Sequence, residues 1–182
     1  MNLHTNDLML QELRNTKHMH TIDLVVGEYP YYHTDNEDEL ILRPEYVQLC
    51  LESAQKIWNK CNFSNNLTVL FEDRYNSCIK GEKEFVEKCL NVVDYRSYTF
   101  KWYEDNELFE TTRHIWETDK IGTKSLFKKI IISDIGDCTG LDCAVYIIDN
   151  NTKNVFFLYD DRGVDIYSDD EEFIYEMKNY SF

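Results

Sequence analysis

Ala144-Val145-Tyr146-Ile147-Ile148, then Asp149-Asn150-Asn151-Thr152, then Val155-Phe156-Phe157-Leu158-Tyr159: two short β-branched and aromatic runs enclose a cluster of turn formers. Runs of this kind, bounded by Asn, Asp and Thr, read as the two strands of a hairpin. A third run, Val164-Asp165-Ile166-Tyr167, follows Gly163 and predicts another short strand. Upstream, Tyr98 to Tyr103 and Leu108 to Trp116 flank Glu104-Asp105-Asn106-Glu107 and predict a second hairpin, in which Phe100, Trp102, Phe109 and Trp116 suit cross-strand pairs. Leu67-Thr68-Val69-Leu70-Phe71 reads as a buried strand, and Ile22-Asp23-Leu24-Val25-Val26-Gly27 as a strand ending at glycine. Strands that arrive as hairpins build an antiparallel sheet.

Between these strands the period changes. Pro44 suits a first helical residue, and Val47, Leu51, Ala54 and Trp58 follow at helical spacing with Cys50 and Ile57 on the same face, which predicts a helix from Pro44 to Asn59. Residues 82–90 give a short helix through Phe85, Val86 and Cys89. Residues 123–132 read both ways, since Leu126, Phe127, Ile130 and Ile131 fit a helical face while Ile130-Ile131-Ile132 favours a strand; helix is the expectation. Ser168 or Asp169 is expected to cap a closing helix through Phe173, Ile174 and Met177, with Asp169-Asp170-Glu171-Glu172 at the positive end of its dipole. Leu8, Met9 and Leu13 suggest a short amphipathic helix over residues 6–17, capped by Asn6. The expected fold is α+β, a mainly antiparallel sheet with helices packed against it, in a single domain over residues 1–182.

Composition limits the functions open to such a domain. The chain of 182 residues carries 34 Asp and Glu against 19 Lys and Arg, a formal charge of −15, and its 13 Tyr, 10 Phe and 3 Trp supply the apolar mass that a disordered chain lacks. Direct binding to a nucleic acid backbone draws its affinity from Lys and Arg, so this charge argues against it, and against anionic membrane surfaces as well. A basic protein partner is favoured instead, through electrostatic steering. There is no apolar run of spanning length, and Met1-Asn2-Leu3-His4-Thr5-Asn6-Asp7 lacks the basic start of a signal peptide, so the expected location is cytoplasmic. There the six cysteines, Cys50, Cys61, Cys78, Cys89, Cys138 and Cys143, are expected as thiols. Cys138 and Cys143 stand at the edge of zinc-ligand spacing with no second Cys/His pair nearby, and the five histidines do not complete a ligand set, so neither a metal nor a cofactor is expected. Oligomeric state is not legible.

No phosphate-binding glycine loop, His-Glu-x-x-His or Gly-x-Ser-x-Gly occurs. The most enzyme-like segment is Tyr159-Asp160-Asp161-Arg162-Gly163-Val164-Asp165. Asp160, Asp161 and Asp165 are candidates to gather around a divalent cation in a metal-dependent enzyme or a metal-binding protein. The competing reading is structural: Asp side chains bond nearby backbone N–H groups, Arg162 pairs with a carboxylate, and Gly163 takes positive φ in a turn. His114, on a predicted strand, reads as a half-buried sheet residue with no nucleophile to pair with.

The segment Tyr159-Asp160-Asp161-Arg162-Gly163-x-Asp165, entered from an apolar strand and followed by a short acidic helix, resembles a bacterial family of unassigned function; that resemblance supplies no chemistry. In character the chain also resembles immunity proteins of contact-dependent growth inhibition and related bacterial toxin systems. These are small, acidic α+β proteins, and each binds one cognate toxin domain, often a basic nuclease. The resemblance implies an antitoxin that is not an enzyme and that covers the active site of its toxin. The expected interface takes the acidic groups Asp35, Glu37, Asp38, Glu39, Glu104, Asp105 and Glu107, with Tyr31, Tyr32 and Trp102 as aromatic anchors.

Overall fold

A computed structural model describes residues 13, 15, 17–33, 40–73, 81–104, 106–135, 140, 141 and 144–179. The fold is α+β: nine strands and four helices are described, in the order β1 (His18–Asp23), β2 (Tyr31–His33), β3 (Leu40–Leu42), α1 (Pro44–Cys61), β4 (Leu67–Asp73), α2 (Glu82–Lys88), β5 (Leu90–Glu104), β6 (Glu107–Ile121), α3 (Thr123–Ile131), β7 (Ala144–Asp149), β8 (Val155–Leu158), β9 (Gly163–Ser168) and α4 (Glu171–Lys178). Seven strands form one antiparallel sheet in the order β1-β9-β8-β7-β4-β6-β5, and β2 pairs with β3 in a separate ribbon. Both expected hairpins are present, as β7–β8 and β5–β6. Among the described residues no helix is long and apolar enough to cross a membrane.

Every residue of β4 is buried, because the strand lies between β6 and β7 with side chains packed on both faces. On one face Val69 and Phe71 join Trp116, Val145, Ile147, Phe156, Val164 and Ile166, and residues from all four helices close over them. α1 contributes Tyr46, Cys50, Leu51, Ala54, Ile57 and Cys61; of the stripe read from its sequence, Cys50, Leu51, Ala54 and Ile57 are buried, and Val47 and Trp58 pack partly buried against the core. Trp58 then meets Phe63, Phe127 and Phe156 edge-on at 4.9, 5.9 and 5.4 Å, which ties α1 to α3 and β8. The opposite face holds Leu70, Ile115, Ala144, Tyr146, Val155, Phe157 and Tyr167 with Leu13. Helix α1 ends at Asn62, whose left-handed φ of 50° terminates it.

Three local expectations are corrected. The first strand lies at His18–Asp23 rather than Ile22–Gly27. Its ladder with β9 runs from His18 opposite Ser168 to Asp23 opposite Gly163, and the apolar Leu24-Val25-Val26-Gly27 forms bends instead. The closing helix is capped by Asp170, whose carboxylate accepts from the N–H groups of Glu172 and Phe173, rather than by Ser168 or Asp169. Ser168 faces inward to Asn154 at 2.6 Å. Gly163 opens β9 without positive φ; what it needs is space, since a Cβ there would collide with the Tyr159 hydroxyl and stand 3.0 Å from the Ile22 carbonyl oxygen. Residues 123–131 form a helix, as expected, while most of the expected helix over residues 6–17 lies outside the described residues.

Candidate functional site

The chain from Tyr159 to Gly163 turns between β8 and β9, and its polar groups are consumed locally. Asp160 accepts from the Arg162 backbone N–H at 2.7 Å and from Nε at 2.8 Å, and it also pairs with the far guanidinium nitrogen. The Arg162 carbonyl accepts from Leu24 N–H at 2.9 Å, and the Asp161 carbonyl accepts from the Cys50 thiol at 3.5 Å. On the next strand Asp165 accepts from the Thr21 hydroxyl at 2.7 Å and the Tyr167 hydroxyl at 3.1 Å. The turn therefore joins β1, α1, β8 and β9, as an Asp-Arg-Gly turn is expected to do.

Three carboxylates do converge there, but not the three expected. Asp134, exposed after α3, joins buried Asp160 and Asp161 so that one oxygen of each lies within 4.8 Å of the others. Asp165 is not part of that trio: alternation along β9 puts it on the face of Tyr167, opposite the helices, whereas Asp161 bonds to Tyr46 of α1. Burial raises the pKa of Asp161, Asp160 adds to the rise, and the Tyr46 bond opposes it. The Cys50 thiol beside it is pushed up to about 11 by the same burial, so it is no thiolate nucleophile. Asp134 lies 26 residues before Asp160 and carries no local signal of this role.

The second candidate is the outer hairpin. β5 is the last strand of the sheet, and every residue from Asn91 to Thr99 is exposed, although Val92, Val93, Tyr95, Tyr98 and Thr99 are strong strand formers. Val93 is 70% exposed, Tyr98 46% and Tyr103 45%, with Leu108 at 49% on β6. Three of the hairpin's basic groups are paired, Arg96 with Glu117 at 3.3 Å, Lys101 with Glu110 at 2.9 Å and buried Arg113 with Glu72 at 2.7 Å, while Lys120 at the far end of β6 is exposed. Arg113 also donates to the Tyr98 hydroxyl at 3.0 Å and lies 5.0 Å from the Phe100 ring centre. Tyr95 holds His114 Nδ1 at 2.9 Å, and burial together with Lys83 lowers the histidine's pKa, so His114 is the half-buried sheet residue its sequence position suggests.

The expected interface residues divide between two regions. Tyr31 packs against the helix-side core, and exposed Tyr32 stacks 5.1 Å from Arg43 with its hydroxyl bonded to Glu45. Both belong to β2, tied to the start of α1 by the Arg43 N–H bond to the Pro30 carbonyl. Asp35, Glu37, Asp38, Glu39 and Asp105 lie outside the described residues. Trp102 falls in β5 opposite Phe109, and Glu104 ends that strand opposite Glu107, which is exposed. α1 begins at the β8–β9 turn through Tyr46 and Asp161, so the β2–β3 ribbon belongs to the β9 side of the sheet, whereas the hairpin forms its other edge. Sequence reasoning missed Tyr95, Tyr98 and Val93; their signal was strand propensity without burial.

A family model described as a domain of unknown function, DUF3885, matches residues 24–180. No curated protein and no solved structure matches the chain significantly. The match runs from the bends after β1 past the closing helix, and the chain belongs to the DUF3885 family.

Proposed function

We propose that this chain is an immunity protein, a non-catalytic cytoplasmic antitoxin that binds a cognate basic toxin domain of nuclease type and occludes its active site. The observation that supports the reading is the outer β5–β6 hairpin, which exposes tyrosines and valines while its Arg96 and Lys101 are paired with carboxylates. Asp94 and Glu107 remain exposed there, and the whole chain carries −15. Aromatic anchors amid surplus acid suit a cationic protein surface: the charge raises the encounter rate and the buried rings set residence time. The test is co-expression with the toxin-like polypeptide encoded beside it. Restored growth and co-purification support the reading; a toxin that kills with undiminished potency and never co-purifies rejects it.

A second reading, divalent-cation binding, is favoured by the convergence of Asp134, Asp160 and Asp161. Against it, Arg162 and Tyr46 already occupy oxygens of the two buried carboxylates. A thermal shift with Mg²⁺ or Ca²⁺ that Asp134→Asn removes would support it; identical melting with and without the ions would leave the turn purely structural.

A further inference from the structure

The edge of the sheet offers more than side chains. Among the described residues β5 is paired on one side only, by β6, so half of its N–H and C=O groups face away from the sheet. Their identity follows from the connection at residues 105 and 106, where Asn106 has a φ of 68° and Glu104 stands opposite Glu107. The pair flanking a two-residue hairpin loop is of the hydrogen-bonded kind, and alternation from it leaves Ser97, Thr99, Lys101 and Tyr103 with N–H and C=O directed outward, and Tyr95 with its C=O, since its N–H donates to the Asp94 carboxylate at 2.8 Å. Natural sheets blunt long edges with proline, bulges or covering segments. Here the described irregularities are confined to Leu90–Asp94, and the register from Tyr95 to Glu104 is unbroken.

We propose that this stretch, Tyr95 to Tyr103, accepts an extended segment of a basic protein partner as an added strand of the sheet. The identity of that partner as a toxin domain rests on the function proposed above; the docking mode does not. Main-chain bonds to Ser97, Thr99, Lys101 and Tyr103 and to the Tyr95 carbonyl hold the incoming strand, and its side chains meet the exposed parts of Tyr95, Tyr98 and Thr99. Charge selects the occupant. Arg96 and Lys101 are already paired with Glu117 and Glu110, so the hairpin offers an incoming strand uncompensated acid at Asp94 and Glu107. A second copy of the chain would bring another −15 to the same edge, whereas a lysine- or arginine-rich segment finds complementary carboxylates.

The probe is a synthetic peptide of about 12 residues alternating lysine with valine and threonine, N-methylated at alternate positions so that one edge alone can pair. Titration into the full chain is expected to slow hydrogen exchange at the Ser97, Thr99 and Lys101 amides by about tenfold or more. A glutamate-for-lysine peptide, and one methylated along both edges, should leave exchange unchanged. Ser97→Pro should abolish docking while keeping the ladder to β6, since the amide it removes points outward. Unchanged exchange with the lysine peptide, or equal protection by the glutamate peptide, overturns the proposal. So does edge protection that rises with protein concentration alone, which would assign the edge to a second copy. Capture of the toxin domain undiminished by Ser97→Pro would overturn strand docking and leave the antitoxin reading standing; peptide docking without growth protection would do the reverse.

Discussion

The Tyr46 hydroxyl donates a 2.9 Å hydrogen bond to Oδ2 of Asp161, joining the first turn of α1 to the β8–β9 turn across 115 residues of chain. Both residues are buried, with the Cys50 thiol beside the Tyr46 hydroxyl and Asp160 beside Asp161. Tyr46→Phe strands a carboxylate and is expected to cost about 1–3 kcal/mol, measured by denaturant unfolding at pH 7. Asp161→Asn keeps an acceptor and removes a charge that burial disfavours, so its stability should equal or exceed that of the parent. Because the folded pKa of Asp161 is raised, ionisation costs stability above that value and protonation recovers it below. The advantage of Asp161→Asn should therefore shrink as pH falls through the raised value toward the ordinary carboxylate range.

Asp149 behaves in the opposite sense. Burial would raise its pKa, but the N–H groups of Ser64 at 2.6 Å, Asn151 at 2.8 Å and Thr152 at 3.2 Å outweigh it and the net shift is downward. The carboxylate fastens the α1–β4 loop to the β7–β8 turn. Asp149→Ala should lower stability by about 2–3 kcal/mol at pH 7, since hydrogen bonds to a charged group are lost. A depressed folded pKa gives stability that is present above the unfolded value and lost as pH falls through the folded one. The deficit of the variant should accordingly vanish in acid below the ordinary Asp range.

Gly163→Ala forces a Cβ against Tyr159 and the Ile22 carbonyl, so a loss of about 1–3 kcal/mol in unfolding free energy is expected. Arg162→Ala, although its side chain is 69% exposed, leaves buried Asp160 with the Arg162 backbone N–H alone, so a loss of about 1–3 kcal/mol is expected in the same measurement.

Glu72 and Arg113 form a pair buried beneath the hairpin, and Glu72→Gln should cost about 3–5 kcal/mol in denaturant unfolding by leaving the guanidinium charge unmatched. The equivalent change at Glu110, an exposed partner of Lys101, should cost less than about 1 kcal/mol.

Wherever burial imposed a period, the sequence was legible. The α1 stripe, the apolar run of β4 and the β7–β8 pair carry patterns that only one packing satisfies. β1 was misplaced because its edge position leaves only Ile22 buried in His-Met-His-Thr-Ile-Asp, while the more apolar residues after it serve as bends. The length of β5 was hidden by register shifts between Leu90 and Asp94, which break the alternation of Leu90-Asn91-Val92-Val93. The cap at Asp170 follows two other good capping residues, and local chemistry cannot rank three in a row. The candidate sites depend on pairing between distant segments. Asp134 reaches Asp161 only through the packing of α3 on α1, and the exposure of Tyr98 follows from strand order rather than from its neighbours in sequence.

The central claim is that the acidic, tyrosine-bearing hairpin binds a basic toxin domain. Its most direct test is a kinetic titration of the purified chain against the toxin-like domain encoded beside it, at low and high salt, with the parent and with Asp94→Lys combined with Glu107→Lys and Tyr98→Ala. The account predicts a tight complex whose association slows with salt, and about tenfold or more weaker binding by the variant with its salt dependence flattened. No complex, or parent and variant binding alike at both salt concentrations, would contradict it.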